Sequence, residues 1–197
     1  MRDDVRGWLA DGTRLFLSGL DALDDAGFDA PTGLPGWTRR HLVAHVHHNA
    51  EALSRLVRWA RTGEETRMYA DRAQRDAEIE RGARLPVPRL RELVRASAAA
   101  LAADFASLPA TAWHNEVVTA QGRTVPATEI PWLRVREVTV HAVDLGTGVG
   151  FADLPDDLNL ALALDVVRKR SAGGEAAALA GWLTGRVVEP PALRPWL

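Results

Sequence analysis

The stretch PWLRVREVTVHAVDLG, residues 131–146, decides how this chain reads, because it sets Glu137 and His141 four positions apart in an otherwise apolar segment. Residues at i and i+4 stack on one face of a helix, so the carboxylate and the imidazole share a face. Pro131 suits a first helical position, and Gly146 after Leu145 suits the left-handed cap that ends a helix. Trp132, Val135, Val138, Val140, Ala142 and Leu145 leave no polar face wide enough for solvent, which predicts a buried helix. A carboxylate and a histidine inside such a helix need partners, since desolvating a charge is costly unless a cation, a donor or a metal compensates it. Two arrangements meet that need: a hydrogen-bonded core pair, or two ligands of a metal site whose third ligand lies elsewhere in the chain.

The segment TRRHLVAHVHHNAEALSRLVRWA, beginning at Thr38, is the natural place to seek that third ligand, as it carries four of the six histidines. Thr38 is a good N-cap, and Thr62-Gly63 closes the helix it starts. Leu42, Val46, Asn49, Leu53, Leu56 and Ala60 form one stripe. At 100° per residue His45 lies about 60° from the centre of that stripe, His41 and His48 about 100–120°, and His47 about 140°. His45 therefore points most nearly into a core, as a hydrogen-bonded buried histidine or as a ligand. His41, His47 and His48 read as solvated surface.

Outside these two segments the chain reads as further helices. Apolar residues recur at helical spacing from Val5 to Leu23, a Pro- and Gly-rich loop follows, and 70–83 forms a short polar helix anchored by Ile79. A third long helix spans 87–108, and NEVVTAQGRTV (115–125) suggests a short hairpin around Gln121-Gly122 or an ordered loop. Residues 155–170 and 175–183 read as two more helices joined at Gly173-Gly174, with an irregular tail after them. The predicted organisation is a helical bundle over 1–150, with a short C-terminal region, 151–197, packed on it.

Composition narrows the functions available. A formal net charge of -2 argues against nucleic acid or an acidic membrane as the main partner. No run of about 18 apolar residues and no charged-then-apolar leader is present, so the expectation is a soluble, unprocessed, cytoplasmic protein. Lys169 is the sole lysine among 24 basic residues, a bias of the kind a GC-rich genome such as an actinobacterium's produces. With no cysteine the chain has no thiol nucleophile or Cys-ligated zinc of its own. Two imidazoles and one carboxylate from separate helices, with a position left for water or substrate, fit a catalytic divalent site, and bundle cores build sites in this way.

Four blocks, LPGWTRRHLVAHVHHNAEAL (34–53), YADRAQRDAEIERGA (69–83), WLRVREVTVHAVDLG (132–146) and AGWLTGR (180–186), together resemble the mycothiol-dependent maleylpyruvate isomerase family, a branch of the DinB-like metal-dependent helical bundles. The resemblance implies a mainly α, DinB-like four-helix bundle with a short, mostly helical C-terminal extension. It implies zinc, or another divalent metal, on His45, Glu137 and His141, with Arg75 and Arg186 as substrate-pocket arginines. It implies mycothiol as a thiol cosubstrate that adds to the cis double bond of an unsaturated acid and leaves after rotation, giving the trans product, fumarylpyruvate in the case of maleylpyruvate. Arginine suits a small, carboxylated electrophile because its planar fork matches a carboxylate bidentately. The family's isomerases have a longer C-terminal α/β part than the fifty or so residues here, so the substrate is left open. Two other functions remain in view: a thiol S-transferase that consumes the thiol, and a ligand-binding bundle without catalysis. Oligomeric state is not legible.

Overall fold

A computed structural model describes residues 3–192 of the chain. Seven α-helices run through it: α1 (Asp3–Asp21), α2 (Arg39–Thr62), α3 (Arg72–Ala83), α4 (Val87–Ser107), α5 (Ile130–Asp144), α6 (Asp156–Arg170) and α7 (Ala176–Leu183). A two-stranded antiparallel hairpin, β1 (Glu116–Val118) and β2 (Thr124–Pro126), turns at Gly122, as the sequence suggests. The chain divides into two compact units that meet between Asp153 and Leu154.

The first unit is a four-helix bundle of α1, α2, α4 and α5, in which α1 packs on α5 and α2 packs on α4 and α5. Helix α3 lies against α2, so α2 is covered on three sides. Its start is fixed by Thr38, whose backbone N–H donates to His41 Nδ1 at 3.2 Å, the reciprocal half of a capping box. Gly63, at φ +76°, supplies the left-handed residue that closes it.

Two apolar clusters fill the bundle. One holds Phe16, Leu20, Leu42, Val46, Leu90, Val94, Val138 and Leu145, and the other holds Leu53, Leu56, Val57, Leu101, Phe105, Val117 and Ile130. Between the two sets, in sequence order along each helix, stand the buried polar residues: His47 and Asn49 on α2, Ser97 on α4, and Arg134 on α5. Buried polar groups need hydrogen-bond partners, and in this layer Arg134 and Asn49 find each other across helices, whereas Ser97 donates within α4 to Val94 O at 3.2 Å. Arg134, only 2% exposed, donates from Nη1 to Val46 O and to Asn49 Oδ1, both at 2.8 Å.

The second unit holds α6 and α7, joined by a π-helical segment, Ser171–Glu175, in which Gly174 at φ +93° bends the path. Leu154, Leu158, Leu162 and Leu179 are its buried apolar side chains among the described residues. The tail reading falls partly on 193–197, which lie outside the described residues. No helix among the described residues is long and apolar enough to cross a membrane.

Candidate metal centre

Helices α2 and α5 bring together His45, Glu137 and His141, with side chains 8%, 14% and 4% exposed. The two imidazoles face one carboxylate oxygen: His45 Nε2 lies 2.9 Å and His141 Nε2 3.3 Å from Glu137 Oε2. One ligand atom from each lies within 4.8 Å of the other two. A tetrahedral ion with bonds of about 2.0–2.2 Å holds its ligand atoms roughly 3.4 Å apart, so the three are already near coordinating positions. His141 Nε2 is buried and makes no hydrogen bond of ordinary geometry, although Glu137 is beside it. Its Nδ1 is held by Asp144 Oδ2 at 2.8 Å, the outer carboxylate that fixes the tautomer of a ligating histidine. The donor set, the spacing and the orphaned Nε2 all suit a divalent ion.

Two arginines bracket this cluster. Arg134, on α5, grips the α2 backbone one residue after His45. Arg39, on α2, donates from Nε to Leu145 O at 2.6 Å and from Nη2 to Gly146 O at 3.3 Å, holding the carbonyl end of α5, where a cation is favoured. The ligand-bearing helices are thus tied to each other above and below the cluster.

Burial would raise the Glu137 carboxyl, but the neighbouring His45 and His141 overcome it and hold the group well below the usual carboxylate range. Burial pulls His45 down, only partly offset by Glu137, and His141 and Arg75 add to the pull. On His141 burial is outweighed by the hydrogen bond to Asp144 and by the Glu137 carboxylate beside Nε2, and the imidazole is pushed up to about 9. At neutral pH and without a metal, these directions favour a Glu137 carboxylate beside a protonated His141 and a neutral His45.

Arg75, on α3, places Nη2 3.4 Å from His45 Nδ1, while its Nη1 donates to Asp76 Oδ1 at 3.0 Å. Its side chain is 31% exposed, so it stands at the rim of the cluster. Arg186 belongs to the second unit, is exposed, and donates from Nη1 to Thr184 O at 2.7 Å at the end of α7. Sequence reasoning passed over several neighbours of the cluster. Trp37 packs its ring 5.3 Å from that of His45. Burial pushes the Tyr69 phenol up to about 12, with Arg75 opposing and Glu137 adding to the shift, so its hydroxyl stays neutral. Tyr69 opens the quoted block YADRAQRDAEIERGA, so a signal for it was present; Asp144, three residues after His141, carried one too.

The surface reading of the other α2 histidines is corrected. His47 is buried at 6% exposure, because α4 covers the side of α2 opposite His45. Burial lowers its pKa against the pull of Glu51, and the Leu93 backbone on α4 adds a smaller raising effect without a hydrogen bond of ordinary geometry. His41 is half-buried and serves the N-terminal cap of α2. His48 is half-buried beside Glu51.

A four-helix bundle whose two facing helices carry a buried His/Glu/His cluster defines a class of helical proteins able to hold a divalent ion in the core. Within that class the chain belongs to the mycothiol maleylpyruvate isomerase family: the family profile described as "Mycothiol maleylpyruvate isomerase N-terminal domain" matches residues 9–146. That span contains His45, Arg75, Glu137 and His141, whereas Arg186 lies beyond it. A solved structure described as the mycothiol-dependent maleylpyruvate isomerase is 43% identical, with a TM-score of 0.83 over 86% of this chain and 72% of that one. A histidine-to-alanine mutant of that isomerase matches at 43% identity and a TM-score of 0.79, over 83% of this chain and 69% of that one. A comparison with curated proteins gives no match.

Proposed function

We propose that this chain is a mycothiol-dependent cis–trans isomerase of the maleylpyruvate isomerase type, with a divalent ion, zinc by its donor set, held by His45, Glu137 and His141. The observation that carries the reading is the convergence of both imidazoles on one Glu137 oxygen, at 2.9 and 3.3 Å, in a family whose solved members are named for this reaction. A divalent ion bound there lowers the pKa of a coordinated thiol and presents it as thiolate near neutral pH. The absence of cysteine is consistent with a thiol borrowed from a small molecule.

The chain's own residues supply the remaining parts. Asp144 keeps the His141 proton on Nδ1, leaving Nε2 free to ligate. Arg75 stands at the open side of the cluster and would exchange part of its contact with Asp76 for a substrate carboxylate. Trp37 packs against the His45 ring, and the Tyr69 phenol is kept neutral by burial. Arg186 is assigned to a second substrate carboxylate, and the protein to the cytoplasm.

The test is turnover of maleylpyruvate with mycothiol, with free thiol followed throughout. Isomerisation returns the thiol, whereas stoichiometric thiol loss would identify an S-transferase. Arg75→Ala is expected to keep its metal and lose roughly ten- to hundredfold in kcat/KM, the worth of a charged hydrogen bond of about 1.5–3 kcal/mol. Lys at 75 should rescue poorly for want of the planar fork. An unchanged kcat/KM in the Arg75→Ala protein would remove the residue from the substrate pocket. Arg186→Ala answers the same question for the second arginine, and an effect on melting without one on turnover would leave it only the end of α7.

A further inference from the structure

Helix α2 carries a second group of ligating side chains, on the side turned away from His45. His47 Nε2 and His48 Nδ1 both face one oxygen of Glu51, Oε2, at 3.6 and 3.0 Å. One ligand atom from each of the three lies within 4.8 Å of the other two. Successive helix positions diverge by 100°, so adjacent imidazoles converge on one point only by using different ring nitrogens, and that is the arrangement here. Their rings lie 4.6 Å apart, tilted by 44°. The side chains are 7%, 18% and 46% exposed for His47, His48 and Glu51, giving the group a buried base and a rim open to solvent.

We propose that His47, His48 and Glu51 form a second divalent-cation site of the zinc class, separate from the one at His45. Two imidazoles and a carboxylate suit a borderline-soft first-row ion, and the spacing brackets the roughly 3.4 Å between ligands of a tetrahedral one. The remaining position opens to solvent past Glu51, so the ion exchanges with the medium. Affinity is lower than at the first centre for two reasons. All three ligands come from little more than one turn of a single helix, and ordering the half-exposed Glu51 costs side-chain entropy. His141 is held from behind by Asp144 at 2.8 Å, whereas His47 Nδ1 makes no hydrogen bond of ordinary geometry, and an outer partner of that kind is worth about 10–100-fold in metal affinity.

The competing account is a plain helix-surface pair, in which Glu51 accepts hydrogen bonds from the two histidines and takes no ion. Titration of metal-free protein with zinc chloride, followed by equilibrium dialysis and repeated with cobalt(II) for its absorption spectrum, separates the two. The full chain should bind in two classes, the weaker about 10–100-fold below the tighter. Glu51→Gln and His48→Ala should each abolish the weak class and keep the tight one, and Glu137→Gln should do the reverse. Glu51 is exposed enough for its amide to leave the fold intact, which far-UV circular dichroism verifies. A single class in the unaltered chain, or a weak class that survives in either Glu51→Gln or His48→Ala, would overturn the proposal without touching the reading of the His45 centre.

Discussion

In the metal-free chain His141 sits between two carboxylates, Asp144 at Nδ1 and Glu137 at Nε2, and the pair outweighs burial to push it up to about 9. A histidine whose folded pKa stands above its unfolded value of about 6.5 adds stability that is complete below that unfolded value and lost as pH rises through the folded one. The metal-free protein is therefore expected to melt at lower temperature at pH 9.5 than at pH 6.5, whereas the His141→Gln protein shows a flatter profile over that window. Metal uptake must displace the same proton, so calorimetry near pH 7.5 in buffers of different ionisation enthalpy should report release of about one proton per tightly bound ion. No buffer dependence would place the ion elsewhere. At this scale the sequence was informative where chemistry and period coincide: the i, i+4 spacing of Glu137 and His141, and the inward angle of His45. It misled at His47, since an angle measured from one apolar stripe assumes one covered face, and α3, α4 and α5 cover three.

The helices that carry the cluster are held by reciprocal arginine contacts, Arg134 to Val46 O and Asn49, and Arg39 to the end of α5. Replacing Arg134 with Met leaves a buried carbonyl and amide without their donor, at a cost of about 1–3 kcal/mol. Arg134→Met should melt earlier and also bind metal more weakly, because it frees α5 to shift against α2; a lower melting temperature with unchanged metal affinity would make Arg134 a packing residue only. Helix α1 approaches α5 at Gly12, where a Cβ would meet Thr139 Cγ2 at 2.6 Å and Val138 Cγ2 at 2.9 Å. Gly12→Val is expected to destabilise the bundle by about 1–3 kcal/mol through overpacking, measurable by urea unfolding. Helix boundaries were legible to within a residue or two where a cap or breaker marks them, as at Thr38, Gly63 and Asp144–Gly146. The arginine contacts were not, because they join residues 88 and 106 positions apart and no local pattern encodes such a pairing. Arg134 was hidden in a helix read as apolar on all sides.

Across the whole molecule, the order of the apolar segments and the breaks between them carried the helical class, the family resemblance implied four helices, and the structure has that four-helix bundle. What the sequence could not supply was adjacency: that α2 faces α5 closely enough for His45 to meet Glu137 follows from packing rather than from spacing. The layering of the core, with polar residues between two apolar clusters, has the same origin. In the proposed function this cluster holds the ion on which thiol-dependent turnover depends. Elemental analysis and mycothiol-dependent turnover of maleylpyruvate, measured on the same preparations of the unaltered chain and of Glu137→Gln, test it most directly. Glu137→Gln is expected to stay folded and to lose the tightly bound ion and the turnover together. A folded Glu137→Gln protein that keeps its tightly bound ion or its turnover would contradict it.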